Sequence, residues 1–136
     1  MLTVVIADDH AVYRDGIVRA LQETGRYRIE GEASDGTTAA ELIERRRPDV
    51  ALLDLRMPGL DGLALLARLR GGVPVVLLTA FPHDELADQA LAAGAAGFLG
   101  KAASRAQIVA ALDAAAERGP RRSAAPCPIT GSSSTA

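Results

Sequence analysis

Five residues far apart in the sequence carry side chains suited to phosphate chemistry. Asp8 and Asp9 end one apolar run, Asp54 stands near the end of another, Thr79 closes a third, and Lys101 follows a fourth. Three carboxylates brought within a few ångströms repel, and at least one is forced to take a proton unless a cation intervenes. Mg²⁺ suits such a set, because it accepts a few carboxylate and carbonyl oxygens, keeps waters, and leaves room for phosphate. No cluster of soft ligands points to zinc. With the metal and the Lys101 ammonium neutralising charge, one carboxylate can act as nucleophile toward a phosphoryl group, whose transfer depends on positioning and charge. Asp54 is the candidate nucleophile, since its strand falls between the acid pair and Thr79. The Thr79 hydroxyl and the Lys101 ammonium would hold the transferred oxygens. Composition also singles out Lys101: of 15 basic residues it is the sole lysine.

The elements that must position these groups can be read from periodicity. Leu2 to Ala7 and Val50 to Leu55 are short apolar runs suited to strands buried on both faces, as is Val73 to Leu78, which ends at Thr79. Tyr27 to Ala33 alternates Tyr27, Ile29, Gly31 and Ala33 against Arg28, Glu30 and Glu32, the pattern of an edge strand with one polar face. Gly97 to Leu99 is a short fifth strand. Between and after them lie helical stretches at about Ala11 to Glu23, Thr37 to Arg47, a segment with Leu63, Leu66 and Leu69 on one face, Asp84 to Ala93, and Ser104 to Glu117. Strands alternating with helices predict an α/β fold: a doubly wound (βα)5 parallel sheet in the order 2-1-3-4-5, with the polar second strand at an edge. Ligands in such sheets bind outside the carboxyl ends of the strands, where Asp8, Asp9, Asp54, Thr79 and Lys101 all fall.

The chain has 136 residues and a net charge of −2, which suits one domain and gives no global basic field for nucleic acid or an anionic membrane. Its 49% apolar content includes 27 alanines, so the core is modest. There is no basic leader or membrane-length apolar run near Met1, and a cytoplasmic location is expected. The single Cys127, between Pro126 and Pro128, reads as an incidental free thiol. From Gly119 onward Pro, Arg, Ser, Ala and Thr lack periodicity, so residues 1–118 are read as the domain and residues 119–136 as a disordered linker or tail.

Four segments, VVIADDHAVYRDGI, DVALLDLRMPGLDGL, VVLLTAF and GAAGFLGKAAS, resemble the receiver domain of bacterial two-component response regulators over about Leu2 to Glu117. The wording is most similar to the NarL/FixJ-like (LuxR-type) subgroup, and the fold implied is flavodoxin/CheY-like. The resemblance implies that Asp54 accepts a phosphoryl group from a sensor histidine kinase and that Asp9, Asp54 and the backbone carbonyl of Arg56 ligate Mg²⁺, assisted by Asp8. It further implies that Thr79 and Lys101 contact the phosphoryl oxygens, with small Ala80 leaving access. Thr79 would act as a switch coupled to Phe98. Self-phosphorylation and autodephosphorylation are expected without turnover of an external substrate, as is pairing of two copies on phosphorylation. Two positions depart from the wider pattern: Ala102 follows the lysine where many receivers have proline, so a trans peptide is expected, and Arg56 occupies a position that tunes hydrolysis. The subgroup usually carries a helix-turn-helix domain after a linker. The 19 residues from Arg118 onward are too few for one, which suggests a truncated regulator or a stand-alone receiver that binds no nucleic acid itself.

Plainer readings stand beside these. Asp8 and Asp9 could cap the first helix, and Thr79 and Phe98 could be ordinary strand residues. His10 and His83 suit surface or capping roles, and Arg45-Arg46-Arg47 suits a solvated helix end. A small aspartyl phosphatase would share the carboxylates but lacks a segment to form a substrate pocket. A binding module that has abandoned phosphate would not need the acids, Thr79 and Lys101 together, and a nucleotide site would want glycines where Asp8-Asp9-His10 stand.

Overall fold

The computed structural model describes residues 1–119. Five strands, β1 (Leu2–Ala7), β2 (Tyr27–Ala33), β3 (Val50–Asp54), β4 (Val75–Thr79) and β5 (Gly97–Gly100), alternate with α1 (Ala11–Glu23), α2 (Gly36–Arg46), α3 (Gly62–Leu69), α4 (Asp84–Ala92) and α5 (Arg105–Arg118). All strand pairs are parallel, in the order β2-β1-β3-β4-β5. The burial ranking read from the sequence thus gives the correct topology. The expected tail from residue 119 lies, apart from Gly119, outside the described residues, as does Cys127.

Each face of the sheet has its own core. On one face α1 and α5 deliver Ile17, Leu21, Ile108 and Leu112 against Val4, Ile6, Leu52 and Val76. On the other, α2, α3 and α4 deliver Ile43, Leu65, Leu66 and Ala90 against Val5, Leu53 and Leu77. The central strands β3 and β4 are buried along their whole length, which is why their sequences show no alternation.

The structure corrects the sequence reading in three places. Val4 pairs with Ile29 but Val5 pairs with Gly31, so Glu30 is an extra residue that bulges β2. The bulge turns the strand over: Tyr27 and Ile29 pack on the α1/α5 face, whereas Ala33 belongs to the opposite core. The four alternating residues therefore do not share a face. In α3 the fully buried residue is Leu65, with Leu66; Leu63 and Leu69 are only partly buried. Finally, β4 begins at Val75 rather than Val73, after Pro74, whose carbonyl accepts the Ala51 N–H at 2.9 Å but which has no N–H to give the ladder.

Two glycines fix the loop that follows β3. A Cβ on Gly36 would sit 1.7 Å from the Leu60 carbonyl oxygen, and one on Gly62 would lie 2.9 Å from Leu55 Cα. Their N–H groups donate to Pro58 O at 3.0 Å and Leu55 O at 2.8 Å. Backbone packs directly on backbone there, so the loop from Leu55 to Asp61 is pinned at both ends beside Asp54. Helix starts are also determined locally. Asp35, Asp61 and Ser104 cap α2, α3 and α5 through their side chains, and the Gln107 side chain accepts in return from the Ser104 N–H.

Candidate functional site

The carboxyl ends of β1, β3, β4 and β5 converge. Asp8, Asp54 and Thr79 are the buried polar or charged residues among those described, each 2–3% exposed. Burying such groups beneath one rim is costly unless they are paired. Lys101 supplies the pairing: its Nζ lies 2.8 Å from Asp8 Oδ2 and 3.1 Å from Asp54 Oδ2. The lysine is delivered by the ladder itself, since its N–H donates to Thr79 O at 2.8 Å just beyond the Thr79–Gly100 pair. Tyr13 holds it from α1, donating from its hydroxyl to Lys101 O at 3.4 Å and placing its ring 4.8 Å from Nζ.

The remaining lone pairs are partly satisfied by backbone. His10 N–H donates to Asp8 Oδ1 at 2.8 Å, and Arg56 N–H to Asp54 Oδ1 at 3.3 Å. Arg14 anchors the end of β1 by donating to Asp8 O at 2.6 Å. Burial, and then the charge of Asp8, push the Asp54 carboxyl above its ordinary range against the pull of Lys101. For Lys101 burial acts to lower the pKa, but the close contacts and charge of Asp8 and Asp54 outweigh it, and the ammonium is held above its usual value. Lys101 therefore stays cationic.

Asp9, His10, Asp54, Arg56, Thr79, Ala80, Phe81 and Lys101 line an open cavity of about 270 Å³ over this cluster. Every site residue read from the sequence except Asp8 and Phe98 borders it. Asp8 lies beneath the cluster in contact with Lys101. Phe98 pairs with Leu77, two residues before Thr79, and packs partly buried against the core that includes α4. Thr79 Oγ1 accepts from Phe81 N–H at 3.3 Å, and Phe81 stands 78% exposed on the rim. No peptide among the described residues is cis, so Ala102 is trans as expected.

The donor set fits a hard divalent cation. One ligating atom from each of Asp8, Asp9, His10 and Asp54 lies within 4.8 Å of every other. Asp8 Oδ2 is buried and makes no directed hydrogen bond, the Lys101 ammonium approaching it as an ion contact only. A buried carboxylate oxygen left in that state is what a metal ion would satisfy.

Two further residues belong to the site that the sequence did not assign to it, although His10 is exposed as expected. His10, read as a surface or capping residue, makes no side-chain cap to α1. Its Nδ1 instead lies 3.3 Å from Asp8 Oδ1, 3.2 Å from Asp9 Oδ1 and 3.2 Å from Lys101 Nζ. Tyr13 follows one helical turn later, and its link to the site is the long-range contact with Lys101. His83 does cap α4, accepting from Leu86 N–H at 3.3 Å.

A parallel sheet with an acid pair, a central aspartate, a threonine and a lysine at its carboxyl edge is the arrangement that the resemblance to receiver domains implies. Residues 4–113 match the family described as the response regulator receiver domain, and the chain belongs to that family. The chain is 50% identical over 119 residues to the "Probable transcriptional regulatory protein NarL" of Mycobacterium tuberculosis, covering 85% of this chain and 55% of that protein. It is 36% identical over 115 residues to the response regulator UvrY of Escherichia coli, covering 82% and 53%. The chain thus spans about half the length of these curated relatives. Among solved structures, the signal receiver domain of NarL from Mycobacterium tuberculosis superposes with a TM-score of 0.82 at 45% identity, covering 85% of this chain and 96% of that one. A DNA-binding response regulator of the LuxR family from Staphylococcus aureus gives 0.80 at 26% identity, covering 85% and 99%.

Proposed function

We propose that the chain is a Mg²⁺-dependent phosphoryl-accepting switch in which Asp54 is the acceptor. The observation that carries this reading is the single Lys101 ammonium clamped between Asp8 Oδ2 and Asp54 Oδ2 beneath an open cavity, with Thr79 on its wall. An Asp54 oxygen attacks phosphorus, the bond from phosphorus to the donor's imidazole nitrogen breaks, and an acyl phosphate forms. Lys101 Nζ, already within hydrogen-bond distance of Asp54, neutralises charge on the phosphoryl oxygens, and the Thr79 hydroxyl donates to one of them. Asp8, Asp9, Asp54 and the Arg56 carbonyl would hold Mg²⁺, which when bound neutralises the acids and the incoming phosphate. The exposed Arg56 side chain sits where it can influence access of the water that returns Asp54 to its free form.

The donor in this reading is a sensor histidine kinase in the cytoplasm. The output is transcriptional, as the names of the relatives suggest, and is exerted through a pre-existing conformational equilibrium biased at Thr79 and Phe98. The phosphoryl group is bound and lost on Asp54 alone, without turnover of other substrates. The direct test is intact mass after incubation with Mg²⁺ and a small phosphodonor. One added phosphoryl group is expected, absent in Asp54→Asn and without Mg²⁺; an equal adduct on Asp54→Asn overturns the assignment.

A further inference from the structure

We infer that His10 is a nitrogen ligand of the divalent-cation site, so that the site takes imidazole-preferring ions such as Co²⁺ or Zn²⁺ in a way an all-oxygen set would not. The inference rests on the reading of the acidic cluster as a metal site and extends it to a residue outside the oxygen set assigned above.

His10 Nδ1 is mismatched with one of its close neighbours whichever way the ring carries its hydrogen. It lies 3.2 Å from Asp9 Oδ1, 3.3 Å from Asp8 Oδ1 and 3.2 Å from the Lys101 ammonium. A ring nitrogen carries either a hydrogen or a lone pair. With a hydrogen it serves the carboxylates and opposes the ammonium; with a lone pair it serves the ammonium and opposes two carboxylate oxygens. A metal ion among the three donors resolves the conflict, since lone pairs from the ring and both acids then point at one positive centre.

The spacing suits coordination. Adjacent ligands of an octahedral ion with bonds of about 2.1 Å are roughly 3.0 Å apart, and those of a tetrahedral ion with bonds of about 2.05 Å roughly 3.3 Å apart. The separations of Nδ1 from the two carboxylate oxygens, 3.2 and 3.3 Å, fall at that edge length. The buried Asp8 Oδ2 makes no directed hydrogen bond although the Lys101 ammonium lies 2.8 Å away, so the acid keeps a lone pair open to a metal ion. His10 is also reachable, its side chain being 69% exposed on the cavity wall.

Ion preference follows from ligand type. Mg²⁺ favours oxygen and gains little from imidazole, whereas Co²⁺, Ni²⁺ and Zn²⁺ gain most from it. Outer-shell partners alone change metal affinity by about 10- to 100-fold, so removal of a direct donor should weaken Co²⁺ by about tenfold or more. The chain offers an internal control, because its one other histidine, His83, is committed to capping α4.

The test uses Co²⁺, Zn²⁺ and Mg²⁺ on the whole chain and on His10→Ala, which should fold because the ring makes no helix-capping bond. Calorimetry is expected to show the Co²⁺ dissociation constant raised about tenfold or more in the variant and that for Mg²⁺ changed less than about twofold. Imidazole ¹⁵N spectra are expected to show the His10 Nδ1 resonance displaced by Zn²⁺ while His83 stays put. Unchanged Co²⁺ affinity in His10→Ala, with Mg²⁺ still bound by wild type, overturns the role of His10 alone. Failure of wild type to bind any of the three ions overturns it together with the metal site.

Discussion

Lys101 Nζ lies 3.1 Å from Asp54 Oδ2 across 47 positions of sequence, and the sole lysine of the chain is the counter-ion of its most exactingly placed acid. Both side chains are largely buried, 14% and 5% exposed, so their attraction is weakly screened and each depends on the other.

Removing the ammonium therefore strands two carboxylates. Lys101→Ala is expected to lower stability in metal-free buffer at neutral pH by about 2–3 kcal/mol, slightly below the range for fully buried pairs because the lysine reaches the surface. Mg²⁺ should restore a large part of that loss. Urea unfolding with and without Mg²⁺ measures both, and equal midpoints for wild type and variant in chelator would contradict the pairing.

Asp54 should behave oppositely. Burial and Asp8 raise its pKa, so the fold disfavours its charged form. The stability associated with the protonated acid is fully present below the unfolded value, near 3.9, and is lost as pH rises through the higher folded value. Asp54→Asn has no such term. In chelator, the variant's melting temperature should gain on wild type between pH 4 and pH 8, and Mg²⁺ should narrow the gap. A difference independent of pH would show that Asp54 is not strained by its surroundings.

The strand ends were the legible part of this molecule. Asp8, Asp54 and Thr79 each close a run of large apolar residues, and a fully buried parallel strand has no other way to be written, so their convergence follows from the strand order. The Glu30 bulge left no trace in the alternation of β2, because a bulge is set by what the strand pairs with and not by its own period. His10 and Tyr13 were missed for a related reason. Their roles depend on how the start of α1 sits over β5, a tertiary fact reported by the Tyr13–Lys101 contact and by no local pattern. Leu65 was hidden among four leucines whose spacing allows more than one inward face.

The glycines around the β3–α3 loop offer a test of positioning. In Gly36→Ala the new methyl meets the Leu60 carbonyl at 1.7 Å, and only backbone movement can relieve it. A loss of about 1–3 kcal/mol is expected, as for other overpacked sites. Because the displaced loop carries Arg56, whose N–H bonds Asp54, Mg²⁺ affinity should fall as well. Stability and metal titration together decide this; loss of stability with unchanged Mg²⁺ binding would separate the loop from the site.

Far from the cavity, the Tyr27 hydroxyl donates to Asp113 Oδ1 at 2.7 Å, and Arg26 holds the other oxygen at 2.7 Å, tying the edge strand to α5. Tyr27→Phe removes one hydrogen bond without orphaning the carboxylate, so the cost should be about 1 kcal/mol. Burial, the bond to Asp113 and its charge all push the phenol well above its ordinary pKa, against a smaller opposing effect of Arg26. The neutral phenol's contribution is complete below the ordinary tyrosine range and is lost as pH rises through the raised folded value. Tyrosinate absorbance should therefore lag in the native chain and appear together with loss of helical signal at strongly alkaline pH. In Tyr27→Phe that coupled step should shrink, leaving Tyr13, whose pKa is also raised by burial, as the remaining chromophore. Ionisation of Tyr27 at the pH of a free tyrosine, with the fold intact, would show that the Asp113 bond does not hold β2 to α5.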